Sequence, residues 1–347
     1  MQKNISVYIG VFLLILFNAC NHKQQSASKD NFSGSESCIE CHKKFYDLWA
    51  PSLHGKAMQP INKEFVKQNH FSKSDTFLLE NKRYHIEMQD TLMQLYEQDG
   101  NIQKQYPLTW TLGGKNVFYF LTPLERGKLQ TIPLAYDVKK QVWYNNPQSA
   151  IRHFDTFIDE ALSWKDRMYT FNSSCFGCHV SQMSSNYNLA NDTYHTTWKE
   201  PGINCETCHG PSAEHVKVCK QVGKNHVPDD LKIIITSTFT AEQHNSSCAT
   251  CHAKMVPITK SYPPGDQFFN HYNLVALENR DFYPDGRDLG ENYTYTSWKQ
   301  NKCVAKSDLN CITCHTSSGR DRFAKNPNQA CLQCHGDKAE DLQAHTM

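Results

Sequence analysis

Six Cys-x-x-Cys-His motifs punctuate this 347-residue chain and take up twelve of its fifteen cysteines. They are Cys38/Cys41/His42, Cys175/Cys178/His179, Cys205/Cys208/His209, Cys248/Cys251/His252, Cys311/Cys314/His315 and Cys331/Cys334/His335. Two thiols three positions apart can form thioethers to the two vinyl groups on one edge of a porphyrin. The adjacent His then reaches the iron from the proximal side. The pattern reads as covalent c-type haem attachment. Zinc also takes Cys-x-x-Cys pairs, but a zinc ribbon needs two at regular spacing and has no use for a His after each. A thioredoxin-like dithiol is normally single and sits near a βαβ pattern. The expectation is six covalent haem c groups, with His42, His179, His209, His252, His315 and His335 as proximal iron ligands.

Low-spin electron carriers also need a partner on the distal side of each iron. Seventeen histidines less the six proximal ones leave eleven. His54 follows the first motif among apolar and aromatic neighbours. His215 lies about a helical turn beyond the third motif, and His271 sits in the aromatic segment Phe268-Phe269-Asn270-His271-Tyr272. His345 closes the chain, His153 lies between Ile151 and Phe154, and His195 stands near Trp198. These six are the distal candidates. Spacing alone does not pair them with motifs. Met58 and Met255 are alternative ligands that would raise the potential relative to His.

The amino terminus carries an apolar run, Ile5 to Phe17, too short for a comfortable membrane span and suited to a signal-peptide core. It ends in Leu16-Phe17-Asn18-Ala19-Cys20, which resembles a bacterial lipobox. The reading is a lipoprotein signal peptide over 1–19, lipidation at Cys20 and a flexible polar tether over 20–36. An uncleaved anchor helix is the alternative. Two or more acyl chains on Cys20 give stable attachment to a lipid membrane. The compartment is outside the cytoplasm, in the bacterial periplasm or at the cell surface. An oxidising compartment favours a disulfide between the two remaining cysteines, Cys219 and Cys303; a reactive thiol or an axial thiolate is the other option.

The elements that must position these groups fall in two kinds. One motif stands alone at Cys38, and the other five lie between Cys175 and His335. In the gap, Arg83–Met88 and Thr91–Tyr96 alternate around Gln89-Asp90 like a hairpin, and further strand-like segments follow to Tyr144. The region of about 80–145 reads as a small antiparallel β subdomain, either a partner-facing cap or a shield over the first haem. The five-motif part reads as short helices and long loops, because each motif closes a helical turn and porphyrins replace side-chain core. The expected fold class is therefore mainly α with long loops over 37–347, wrapped around six haems, with the β subdomain inserted after the first motif. Thirty-six basic and 35 acidic residues leave a net charge of +1, which argues against a nucleic-acid partner.

The stretch Thr196–Pro211 (TTWKEPGINCETCHGP) with His215 after it resembles the core of the cytochrome c-554-like multihaem family. Trp49-x-x-Ser52-x-His54, Pro264–Phe268 with His271-Tyr272, Phe282–Gly286 and Gln130–Asp137 are similar to that group as well. Members often carry tetratricopeptide repeats after the last haem; here twelve residues follow His335. The resemblance implies electron transfer through closely packed haems, with His54, His215 and His271 as distal ligands. The function expected is electron relay between redox partner proteins of a respiratory chain, rather than catalysis. The alternative is an oxidoreductase acting on a small nitrogen or sulfur compound at one five-coordinate haem. A redox sensor that binds through the β subdomain is a third reading.

Overall fold

A computed structural model describes residues 31–89, 92–149, 161–223, 226–275, 282–283 and 293–339. Cys20, His153 and His345, and with them the signal-peptide and lipidation readings, lie outside the described residues.

Two antiparallel sheets occupy the region between the first and second motifs. The first holds β1 (Met58–Pro60), β6 (Trp110–Gly113), β7 (Val117–Pro123), β8 (Leu129–Asp137) and β9 (Val142–Asn145), paired in that order. The second holds β2 (Phe77–Leu79), β3 (Lys82–Gln89), β4 (Leu92–Asp99) and β5 (Ile102–Pro107), also in order. Their registers follow the two-residue period of a pleated strand. Tyr84 and Ile86 of β3, Met93 and Leu95 of β4, Phe118 and Phe120 of β7, and Ile132, Leu134 and Tyr136 of β8 all join one buried core. The sheets thus pack on each other through alternate side chains. Phe71 caps that core, with its ring 4.9 Å from Tyr136 and 5.7 Å from Phe120.

β8 is buried on both faces from Gln130 to Tyr136. Its sheet also faces a second core, in which Met58, Leu112, Leu121, Phe171 and Val180 pack with Trp110 and Trp198. Phe171 and Val180 flank the second motif. The first sheet is therefore the wall between the β core and the motif-bearing part. Polar bonds fasten that wall: Gln130 donates to the Trp164 carbonyl at 2.7 Å and accepts from the Thr170 hydroxyl at 2.8 Å.

The expectation of a mainly α fold is overturned. Nine strands in two packed sheets stand between Met58 and Asn145, and the first sheet begins before residue 80. The reason is physical. β1 is three residues long, too short to show alternation, and it becomes a strand by pairing with β6 some fifty residues later, Met58 against Leu112. The helices stay short, and five of the ten named here end at their own motif. They include α1 (Ile39–Trp49), α2 (Lys63–Asn69), α3 (Phe171–Ser174), α4 (Phe176–His179), α5 (Cys205–His209), α6 (Ala213–Val222), α7 (Ala241–His252), α8 (Tyr295–Gln300), α9 (Cys311–Cys314) and α10 (Gln329–His335). Among the described residues, no helix is long and apolar enough to cross a membrane.

Candidate functional site

Each motif occupies about one helical turn, which puts the two cysteines on one face with the His beside them. Caps hold those turns. Asn204 accepts from the Thr207 amide at the start of α5, and Asn310 opens α9 with a reciprocal capping box to Thr313. α7 starts with a Thr240/Gln243 capping box and ends in the fourth motif. In α1, the backbone breaks from helical geometry at His42, the proximal residue of the first motif.

The motifs lie against one another rather than apart. The Cys38 and Cys205 thiols are hydrogen-bonded, which raises Cys38 and lowers Cys205 to about 7. Cys248 and Cys311 are joined in the same way, raising Cys248 and lowering Cys311. Cys178 Sγ lies 3.7 Å from the Cys251 carbonyl, and Cys251 Sγ lies 3.6 Å from that of Gly177. The first motif therefore meets the third, the second meets the fourth, and the fourth meets the fifth.

The twelve motif cysteines read alike in the sequence, but the structure separates them. Cys41 of the first motif and Cys334 of the sixth are exposed free thiols, in contrast to the half-buried Cys38, Cys175, Cys178, Cys205, Cys248, Cys251, Cys311 and Cys314. Cys208 and Cys331 are exposed as well.

Imidazole orientation fits iron binding. His179 Nδ1 lies 2.7 Å from the Ala57 carbonyl, His209 Nδ1 2.9 Å from that of Ile234, and His215 Nδ1 2.7 Å from that of Leu231. A carbonyl only accepts, so Nδ1 carries the proton and Nε2 keeps its lone pair for a metal. Two histidine pairs also face each other. His42 and His215 have ring centroids 6.3 Å apart and 19° between planes. His54 and His252 are 6.3 Å apart at 49°. Metal–imidazole bonds of about 2.0–2.1 Å, with about 1.1 Å from each Nε2 to its ring centre, place two axial rings about 6.2 Å apart.

The turn at His54 is built for that position. Its carbonyl accepts from the Ile203 amide at 2.8 Å. Gly319, at φ +78°, leaves room for the ring, since a Cβ there would sit 3.2 Å from it. Burial and the nearby His252 lower the His54 pKa.

Other candidates are placed differently. His271 is buried, but Nε2 lies 2.9 Å from Asp266 Oδ2 and Nδ1 2.7 Å from Thr259 Oγ1, so both nitrogens have protein partners. His195 is exposed, 3.4 Å from the Thr193 hydroxyl. Met58 is spent on apolar packing in the second core, and Met255 lies in a short strand paired with Leu274. Cys219 and Cys303 are not bonded to each other in the structure. Cys219 instead packs on His215, one helical turn earlier in α6, with Sγ 3.7 Å from Nδ1.

A cavity of about 320 Å³ opens between the fourth and fifth motifs, lined by Cys248, His252, Tyr295, Trp298, Cys311 and His315. Tyr295 Oη, Thr296 Oγ1 and Trp298 Nε1, all on α8, are buried without a hydrogen-bond partner. Buried donors are rarely left unpaired in native proteins. A porphyrin, which brings two carboxylate acceptors and a large apolar face, suits both the cavity and these donors. Sequence reasoning missed this helix, whose only signal was its aromatic pair beside the fifth motif. It also missed Glu206, a carboxylate between Cys205 and Cys208 that is 2% exposed.

A family model described as cytochrome c554 and c-prime matches residues 37–103 and 139–210, a span that holds the first three motifs. Among solved structures, the fold is similar to the outer cell wall cytochrome OcwA, with TM-score 0.53 and 18% identity, covering 88% of this chain and 67% of that one. An undecahaem cytochrome from the S-layer of Carboxydothermus ferrireducens aligns with TM-score 0.44 and 17% identity, over 88% of this chain and 42% of that one. No curated protein matches. Attachment turns in mutual contact and imidazoles facing at axial spacing fit haem c, and over the residues that the family model matches the chain is similar to multihaem c-type cytochromes.

Proposed function

We propose that this chain is a lipid-anchored hexahaem relay that passes single electrons between respiratory partner proteins outside the cytoplasm. The contacts between motifs carry the reading. Cys38 with Cys205 joins the first and third turns, and Cys178 with Cys251 and Cys248 with Cys311 join the second, fourth and fifth; Cys251 is close enough to act electrostatically on Cys208, which brings the two groups side by side. The sixth lies closest to the fifth, with Cys331 close enough to act electrostatically on Cys314. Haem c bound at these turns supplies reversible one-electron iron chemistry.

The protein's own residues do the rest. The twelve motif cysteines hold each ring by its edge, and the six motif histidines serve as proximal ligands. His215 serves the first motif and His54 the fourth as distal ligands. The carbonyls of Ala57, Ile234 and Leu231 set the ring orientations of His179, His209 and His215. The apolar run before Cys20 supports export and anchoring, and so does the cell-wall location in the name of OcwA. A pyridine haemochrome assay of the purified holoprotein should count six haems, and EPR should show predominantly low-spin ferric iron. A count well below six would end the proposal.

One observation favours catalysis as a second reading. The cavity beside His315 is lined by Tyr295 and Trp298, whose buried polar atoms have no hydrogen-bond partner among the described residues. A stoichiometric high-spin signal that responds to cyanide or nitrite would support an oxidoreductase acting on a small nitrogen or sulfur compound there.

A further inference from the structure

The third motif reads Cys205-Glu206-Thr207-Cys208-His209, so a carboxylate sits between its attachment cysteines. Glu206 is buried and accepts from four donors. The Ser33 and Ser212 amides reach Oε1 at 2.9 Å each, the Ser212 hydroxyl reaches it at 2.6 Å, and the Gly34 amide reaches Oε2 at 2.9 Å. Gly34 has φ +83°, a conformation natural to glycine, and this lets two successive amides converge on one carboxylate. Glu200 extends the clamp by accepting from the Ser35 amide at 3.0 Å and the Ser35 hydroxyl at 3.0 Å. The chain is thus fastened to the third motif just before Cys38, across more than 160 residues of sequence. Motif one meets motif three where this clamp closes.

We propose that Glu206 is a positioning residue for electron transfer: it seats the first motif on the third and places a buried negative charge beside the haems they hold. This rests on haem attachment at both motifs. Reduction of ferric haem adds one negative charge. A fixed carboxylate in a low-dielectric setting opposes that step and lowers the potential. The four donors temper the carboxylate's field without cancelling it. Removing a donor should therefore act opposite in sign to removing the charge.

The test is a spectroelectrochemical titration of the holoprotein and of three variants, each first checked for an unchanged haemochrome count. Glu206→Gln should raise one or two of the one-electron couples by at least a tenfold change in equilibrium constant, which is about 59 mV. Glu206→Asp, which keeps the charge, should return those couples toward the unmodified values. Ser212→Ala should move the same couples downward. Limited proteolysis before Cys38 should be faster in Glu206→Gln. A normal haem count with superimposable titration curves would overturn the inference and leave the haem relay itself intact. Equal shifts in Glu206→Gln and Glu206→Asp would overturn it as well, because the charge would then not be the cause. If Glu206→Gln does not load its haems, Ser212→Ala decides: an unmoved or raised couple refutes the proposal.

Discussion

Removal of the His215 imidazole is the sharpest probe of the cross-motif pairing. His42 and His215 face each other at 6.3 Å and 19°, the spacing of two rings sharing one metal. His215→Ala should therefore strip one axial ligand from the first haem and no other. With six attachment motifs, about one sixth of the ferric iron should move from low-spin to high-spin EPR signals. Exogenous imidazole should reverse the change. A stability consequence follows from where the pair sits in the chain. A ligand bridge from residue 42 to residue 215 closes a loop of about 170 residues, for which loop-closure entropy gives an upper value of about 5 kcal/mol. Urea unfolding of the holoprotein should show a loss of that order or less, whereas the surface change His195→Ala should cost well under about 1 kcal/mol. His215→Met should stay low-spin and titrate at a higher potential, because Met raises it relative to His. An unchanged low-spin fraction in His215→Ala, with normal haem content, would refute the pairing.

His54→Ala should convert a second, separate sixth of the iron, and the double variant with His215→Ala should show both changes added. Tyr295→Phe and Trp298→Phe should each destabilise the haem-loaded protein by about 1–3 kcal/mol, if their donors pair with the occupant of the cavity, and leave the apoprotein unaffected; thermal melts of both forms check this. His54 has a pKa lowered by burial from 6.5. Below pH 6.5 the unfolded chain therefore binds a proton that the folded apoprotein refuses, so apoprotein stability at this site is full above pH 6.5 and is lost as pH falls toward the lowered value. Denaturant titrations of wild type and His54→Gln across that window should diverge on the acid side. Phe120→Ala, at the centre of the sheet-on-sheet core, should cost about 3–5 kcal/mol while leaving the haem spectra in place.

How much of this was legible in the sequence depended on whether the signal was local. The motifs are local, and so is the alternation around Tyr84, Ile86, Met93 and Leu95 that makes β3 and β4. His54 and His215 could be nominated because their surroundings are local too. Their destinations could not. His215 follows the third motif yet faces the first, and His54 follows the first yet faces the fourth. Those pairings are set by how the motifs stack, which no spacing records. Stacking also decides which attachment thiols are covered. Cys38 and Cys41 share one motif, yet Cys38 meets Cys205 while Cys41 stays exposed, as Cys334 does in the last motif. The same limit applies to Cys219 and Cys303. Redox compartment says whether a disulfide can persist, not whether two cysteines meet, and Cys219 is turned by α6 onto His215. The β region was underestimated because β1 acquires its strand character only from β6.

The exchange of ligands between motifs has a physical consequence for assembly. A haem bound by its own Cys-x-x-Cys-His turn alone would stabilise only that turn. In the proposed pairing the distal imidazole would come from another part of the chain, so iron ligation would join segments that backbone hydrogen bonds do not. The loops closed are 42 to 215 and 54 to 252, each long enough for a bridge to contribute about 5 kcal/mol by the same entropic estimate. The β region needs no such help, since its two sheets share an aromatic core of their own. Stability should thus divide along the first sheet. Chelating or omitting haem should loosen the motif-bearing part first, while amides of β3, β4, β7 and β8 stay protected in hydrogen exchange. If those strand amides exchange as fast as the motif helices in the haem-free protein, β8 is not a wall between two independently stabilised cores, and the sheet itself depends on ligation.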